Sequence, residues 1–131
     1  MSGPFIFISK YRIKEGKLED FKRYVKALVE AVEANEPRLI AFNVYANEDG
    51  TQASGVQVHP DAASMESHMQ LLRETKIADS FEFLERKDGS IELYGTPSGR
   101  VVEIMKQIVG SGVQVSTNAD HLGGFTRSDA S

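Results

Sequence analysis

The pattern of hydrophobic and polar residues divides the chain into strands and helices. From Phe5 to Lys14 the sequence is apolar at consecutive positions and then turns polar, which predicts a central strand covered on both faces at one end. After Gly16, apolar residues recur at spacings of three and four as far as Val32. This periodicity predicts an amphipathic helix that ends before Pro37.

The rest of the chain continues this alternation. Alternating apolar positions around a turn-forming segment predict a β-hairpin with strands from Leu39 to Asn47 and from Ala53 to His59. A second helix follows, with Asp61 as its N-cap. The remaining predicted elements are a short helical piece carrying Ala78, Phe81 and Leu84, a turn at Asp88-Gly89, a strand from Ser90 to Tyr94, a helix capped by Thr96 with Pro97 at its first position and ending by Gly110, a short strand from Val113 to Ser116, and a polar tail.

The order of the predicted elements indicates the fold class. Strand, helix, strand, strand, helix, strand is the order of a ferredoxin-like split βαβ protomer of the α+β class, with helices on one face of an antiparallel sheet. We expect a single domain over residues 1–131, comprising a core at 4–95 and an added helix, short strand and tail at 96–131. An apolar first strand would leave an exposed patch on the uncovered face, so we expect a homodimer that packs sheet against sheet.

Composition excludes several classes of function. Fifteen Lys and Arg against 19 Asp and Glu leave a net charge of −4, which disfavours nucleic acid as a partner. The absence of cysteine excludes disulfides, thiolate catalysis and cysteine-ligated metals. The first apolar stretch, Phe5 to Ile8, is too short for a signal peptide or a membrane span, so we expect no membrane partner and a cytoplasmic location.

Several short segments, in their order and spacing, resemble the antibiotic biosynthesis monooxygenase family. They are residues 11–21 (YRIKEGKLEDF), 41–45 (AFNVY), 47–50 (NEDG) and 64–68 (SMESH), within a similarity that covers about residues 4 to 95. The resemblance implies a ferredoxin-like protomer, a dimeric α/β barrel and a pocket between sheet and helices. Some members of the family oxidise polycyclic phenols to quinones without a cofactor, and others degrade haem.

The sequence departs from the family pattern where haem would bind. Val58, His59 and Pro60 stand where the family often has a Trp at the end of the third strand. The positions of the Asn, the Trp and the haem-ligating His of the haem-degrading branch correspond to Ser9, His68 and the region of Ile77 and Ala78. Since the ligand is missing, we expect no cofactor and disfavour haem.

His68 is the main candidate for chemistry, because it lies within the apolar stripe of the second helix and should point towards the sheet. We expect it to act as a base with Tyr11 as a second proton-handling group. The alternatives are a helix histidine satisfied by a nearby hydroxyl group and a core tyrosine. The residues predicted to bind substrate are Phe7, Ser9, Phe21, Phe42, Tyr45, His59 and Leu72.

His59 should share its strand face with Gln57 and Gly55, and we expect Asn43 and Tyr45 of the neighbouring strand to join that cluster. The same cluster could instead be the solvent-exposed face of an antiparallel sheet or a polar part of the dimer interface. A metal site of His59, His68 and His121 is disfavoured by their spacing. The predicted function is a cofactor-independent monooxygenase acting on a small aromatic or polyketide-like phenol; the alternative is a non-catalytic dimeric protein that binds a small ligand or serves a stress response.

Overall fold

A computed structural model of the protein describes residues 3–75 and 79–127. Within these residues the chain forms a sheet with helices packed on one face. The elements are β1 (Phe5–Ile13), α1 (Leu18–Asn35), β2 (Ala41–Ala46), β3 (Gln52–His59), α2 (Ala62–Glu74), a 3₁₀ turn (Ser80–Glu82), β4 (Leu84–Tyr94), α3 (Gly99–Gly110) and β5 (Gln114–Asn118).

The order of the strands in the sheet is β2-β3-β1-β4-β5. The first four pair antiparallel, which confirms the predicted ferredoxin-like split βαβ arrangement. β5, however, pairs parallel with β4, so the sheet is mixed and the prediction of an antiparallel sheet is wrong at this edge. The reason is α3, which carries the chain back across the sheet before β5 begins, as a parallel pair requires.

The central strand β1 presents different side chains to the two faces of the sheet. Phe5, Phe7 and Tyr11 point towards the helices and are buried, whereas Ile6 and Ile8 point to the opposite, open face and are half-buried. The central position of β1 and its apolar residues on both faces agree with the prediction, whereas the cover expected on the second face stays a prediction. The helix-facing side chains join those of the three helices in one hydrophobic core.

The Asp88-Gly89 signal does not end a strand. β4 runs without a break through both residues, with a register irregularity opposite Lys10 to Arg12 and a positive φ of 62° at Asp88. The pair therefore forms a bulge within a long strand, where a turn was predicted. Gly89 has its own steric role, because a Cβ there would lie 2.5 Å from the ring of Tyr11.

Two further boundaries differ from the predictions. α3 begins after Ser98, whose hydroxyl accepts a hydrogen bond from the N–H of Val101 at 3.2 Å, so Thr96 is not the N-cap and Pro97 precedes the helix. The predicted helical piece reduces to the 3₁₀ turn, and Leu84 already belongs to β4. Ala78 lies outside the described residues. The predicted N-cap at Asp61 is confirmed, since its carboxylate accepts from the N–H of Ser64 at 3.0 Å.

No helix within residues 3–75 and 79–127 has both the length and the apolar character needed to cross a bilayer.

Candidate functional site

A cavity of about 260 Å³ lies between the helix-facing side of the sheet and the three helices. Its walls are mostly apolar, with a few polar side chains among them. Residues singled out from the sequence contribute to both kinds of wall. Those that line the cavity are Phe7, Ser9, Tyr11, Phe21, Phe42, His68 and Leu72, with Leu72 at the half-exposed rim.

His68 enters this cavity from α2. Its side chain is only 2% exposed, and its ring lies 5.3 Å, centre to centre, from the ring of Phe42 on β2. The Nδ1 atom lies 2.7 Å from Oε2 of Glu36. Because an ionised carboxylate can only accept, Nδ1 carries the hydrogen of this bond. Because His68 lies on the apolar stripe of α2, its side chain both lines the cavity and contacts a buried acidic partner.

Glu36 reaches His68 because of the way α1 ends. It is the C-cap residue of that helix, with the non-helical backbone angles φ −127° and ψ 74°, and its N–H still donates to the carbonyl of Val32 at 2.9 Å. Pro37 disfavours a helical conformation for the residue before it, so the chain leaves the helix at Glu36. Its side chain then turns inwards, and the sequence gives no local signal that it will meet a histidine 32 positions later.

The second oxygen of Glu36, Oε1, is buried and has no hydrogen-bond partner among residues 3–75 and 79–127. A buried carboxylate with an unpartnered oxygen is costly, and a buried pair of ionisable side chains contributes little net stability even when it is well formed. Stability therefore does not account for this pair, and its presence beside a cavity points to chemistry.

The chemistry available to the pair follows from which nitrogen is free. With Nδ1–H held by Glu36, a neutral His68 keeps its lone pair on Nε2, and Nε2 makes no hydrogen bond to any residue that the structure describes. A carboxylate in this position orients the ring and stabilises the imidazolium that forms when Nε2 takes a proton. This arrangement is chemically suited to accepting a proton from a ligand in the cavity.

His59 lies beside His68, with 6.1 Å between ring centres, but it does not line the cavity. It is fully buried, and both nitrogens are engaged: Nδ1 with Oγ of Ser64 at 2.7 Å and Nε2 with Oε1 of Gln57 at 2.9 Å. Burial, together with the nearby His68, lowers the pKa of His59 to about 4, so the ring is neutral at physiological pH. The structure places it behind Gln57, which does line the cavity.

The expected cluster of His59 with Asn43 and Tyr45 is wrong, and the register of the hairpin is the reason. Gln57 stands opposite Phe42, so Asn43 and Tyr45 fall on the other face of the sheet. Tyr45 is 58% exposed there, away from the cavity.

Tyr11 and Ser9 lie side by side along the cavity-facing side of β1. Desolvation by burial raises the pKa of Tyr11 to about 12, against the opposing effect of Arg86, so its hydroxyl is un-ionised at neutral pH and can donate a hydrogen bond. A Cβ at Gly55 would lie 3.0 Å from Oγ of Ser9, so this glycine leaves room next to the hydroxyl. Both side chains are suited to orienting a polar atom of a ligand.

A metal site of three histidines does not form in the described part of the chain. His121 packs against Gly3, where a Cβ would lie 2.8 Å from the imidazole, and does not join His59 and His68. Across residues 3–75 and 79–127 no group of three His, Cys, Asp or Glu side chains is placed to hold a metal ion. The Ile77 and Ala78 positions, compared above with a haem ligand, lie outside the described residues.

Sequence reasoning missed Glu36 and gave Gln57 only a place in a polar cluster. The one local signal for Glu36 is an acidic residue at a helix end between apolar positions, Val32 before it and Leu39 after it. For Gln57, strand alternation places it on the face of Gly55, and register then decides that this face lines the cavity.

Comparison with known proteins supports the fold. No protein-family model matches the chain, and no curated protein matches it in sequence. Among solved structures, MupZ from Pseudomonas fluorescens is 18% identical, with a TM-score of 0.65 over 95% of both chains. Two proteins named putative antibiotic biosynthesis monooxygenase are also similar. The one from Nitrosomonas europaea has a TM-score of 0.60 and 16% identity over 73% of this chain and 92% of its own, and the one from Caulobacter crescentus has a TM-score of 0.58 and 14% identity over 70% and 88%.

At such low identities the likeness establishes the fold and not the activity. It confirms, at the level of the fold, the resemblance seen in the sequence: the chain has the ferredoxin-like architecture of structures named for this family. The alignment with MupZ covers more of the chain than the 4–95 core, so the likeness extends into the C-terminal addition.

Proposed function

We propose that the protein is a small monooxygenase that needs no cofactor and oxidises a compact aromatic or polyketide-like phenol in the cavity beside His68. The observation that carries the proposal is the buried Glu36–His68 pair, whose histidine lines an apolar cavity and keeps Nε2 without a hydrogen bond to any described residue. The fold shared with structures named as monooxygenases of this kind supports the same reaction class. A cavity of about 260 Å³ suits a compact ligand.

The reaction divides into a protonic and an oxidative part. Nε2 of His68 removes a proton from the substrate, and Glu36 stabilises the imidazolium that results. The electron-rich anion then reacts with molecular oxygen. For an activated CH₂ group the balance is CH₂ + O₂ → C=O + H₂O, in which the carbon is oxidised by four electrons and O₂ supplies both the carbonyl oxygen and the water oxygen.

The remaining cavity residues would position the substrate. Phe7, Phe21 and Phe42 supply apolar walls that exclude water, which strengthens the electrostatic effect of the Glu36–His68 pair. The un-ionised hydroxyl of Tyr11 would donate to a substrate oxygen, in an orienting role.

Oxygen uptake tests this proposal. The purified protein would be supplied with a panel of anthrones and naphthols, alongside His68→Gln and, as a matched control, His121→Gln, which alters an exposed histidine outside the cavity. Uptake by the wild type and by His121→Gln, with strong loss in His68→Gln, supports the proposal. Ligands that bind and remain unchanged in air would contradict it and favour a binding protein.

We also propose that the protein acts as a homodimer, formed through the open face of the sheet. Ile6 and Ile8 of β1 stand opposite Val58 and Val56 of β3 on that face, and all four are half-buried in the single chain. Adjacent apolar side chains on an uncovered sheet face favour packing against a second copy.

Light scattering during gel filtration tests the dimer. The expected mass is twice the 14.5 kDa of one chain. Ile8→Glu should shift the mass to that of a monomer, whereas Lys10→Glu, on the same face but exposed, should not. A wild-type protein that elutes as a monomer at high concentration would contradict the proposal.

A further inference from the structure

Gln57 presents a further polar side chain to the cavity, besides His68, Ser9 and Tyr11. It lies on the helix-facing side of β3, is 8% exposed and lines the cavity. We propose that its side-chain amide donates a hydrogen bond to a carbonyl oxygen of the substrate and thereby selects hydroxyaryl ketones over simple phenols. This inference rests on the proposed function, because it names the substrate class of the same site.

The orientation of the Gln57 amide is set by a buried hydrogen-bond chain. Its Oε1 accepts from Nε2–H of His59 at 2.9 Å, and Nδ1 of His59 then accepts from the hydroxyl of Ser64 at 2.7 Å. A neutral imidazole has one donor and one acceptor nitrogen, and this arrangement satisfies both. The low pKa of His59, about 4, keeps the ring in that neutral state.

With its oxygen committed to His59, Gln57 has its NH₂ group left for the cavity. That nitrogen makes no hydrogen bond to any described residue. The other polar side-chain atoms of Gln57, His59 and Ser64 all have a partner. The chain is also anchored at its far end, because the N–H of Ser64 donates to the N-cap Asp61 at 3.0 Å. A donor held in this way loses little freedom when it binds an acceptor.

The donor and the base lie at the same end of the cavity. Gln57 is opposite Phe42 in the hairpin register, and the ring of Phe42 is 5.3 Å from that of His68. The imidazole that holds Gln57 is itself 6.1 Å from His68. A ligand whose acidic hydroxyl meets Nε2 of His68 therefore has Gln57 nearby as a donor for a second oxygen. The matching ligand carries a hydroxyl group and a carbonyl group on one aromatic system.

Binding of two matched probes under anaerobic conditions tests the inference. 3-Acetyl-1-naphthol carries the carbonyl, 3-ethyl-1-naphthol has nearly the same size without it, and the meta arrangement prevents an internal hydrogen bond. By titration calorimetry the wild type should bind the ketone about tenfold more tightly, the effect of one hydrogen bond to a positioned donor. Gln57→Met should remove this preference, so that the ratio of the two affinities falls to about one.

The outcomes separate this inference from the proposed function. Equal affinity of the wild type for both probes overturns carbonyl selection but leaves the proposed function intact. This outcome is measured on the wild type, so it does not depend on whether a variant folds. A preference that survives in Gln57→Met, with a melting temperature near that of the wild type, also overturns the role of Gln57. If neither naphthol binds, the proposed function fails, and the inference fails with it. His68→Gln should weaken both probes alike and keep the preference for the ketone.

Discussion

Two histidines 6.1 Å apart in the same core differ in what they can do. His59 and His68 are about equally buried, at 0% and 2% exposure. The partners of His59 are neutral and engage both of its nitrogens, whereas His68 meets a carboxylate at Nδ1 and leaves Nε2 to the cavity. Burial alone therefore does not make a histidine a catalytic candidate. The partner and the free nitrogen distinguish the proposed base from the proposed positioning residue.

Exchanging each histidine for glutamine should give the largest difference. His68→Gln removes the base and should lower kcat for oxygen uptake by about 10²- to 10⁴-fold. His59→Gln leaves the base in place and should cost less than about tenfold, mainly in KM, because it acts only through Gln57. Steady-state kinetics of both variants measure this. An equal loss of kcat in the two variants would remove the distinction.

Replacing Glu36 and His68 by apolar residues should show whether the pair contributes to activity, to the free energy of unfolding, or to both. His68→Leu leaves the Glu36 carboxylate buried without a partner and should destabilise the fold by about 3 kcal/mol. The double variant Glu36→Leu/His68→Leu removes both polar side chains and should be at least as stable as the wild type, yet inactive. Urea unfolding gives both free energies. A double variant no more stable than His68→Leu would show that the pair itself holds the fold together.

Glu36→Gln gives His68 a neutral hydrogen-bond partner, as His59 already has. The amide oxygen can still accept the Nδ1–H hydrogen bond, but it no longer stabilises the imidazolium by charge. We expect kcat to fall about 10- to 100-fold with KM little changed. A rise in KM at constant kcat would instead assign Glu36 to substrate binding.

The pH dependence of stability should report on His59. Its ordinary pKa of 6.5 falls to about 4 in the folded protein. Between these values the unfolded state binds more protons than the folded state, so the free energy of unfolding should decrease as the pH is lowered from 6.5 to 4, by about 1 kcal/mol per pH unit. Urea unfolding at several pH values tests this, and His59→Gln should flatten the slope. An unchanged slope in that variant would assign the effect to other groups.

The sequence was sufficient for the order of the elements and for the inward position of His68. Periodicity placed His68 on the inner stripe of α2, and the two faces of β1 could be read from Phe5 to Ile8. Such features depend on the repeat of one helix or one strand. They do not depend on how the elements pack against one another.

The features that could not be predicted depend on how elements meet. Glu36 contacts His68 only because the end of α1 packs near α2, and no local sequence pattern predicts that contact. Tyr45 was assigned to the wrong face because the register of the hairpin, which alternation does not fix, sets Phe42 opposite Gln57. Asp88 and Gly89 are equally compatible with a turn and with a bulge, and the pairing of β4 with β1 decides between them.

The absorbance spectrum of bound 3-ethyl-1-naphthol at pH 7, recorded without oxygen, tests most directly whether His68 is the base. Ionised and neutral naphthols absorb at different wavelengths, so the spectrum reports proton transfer without any turnover. We expect a larger naphtholate fraction in the wild type and in His59→Gln than in His68→Gln. Equal naphtholate fractions in the wild type and in His68→Gln would contradict the assignment of His68 as the base.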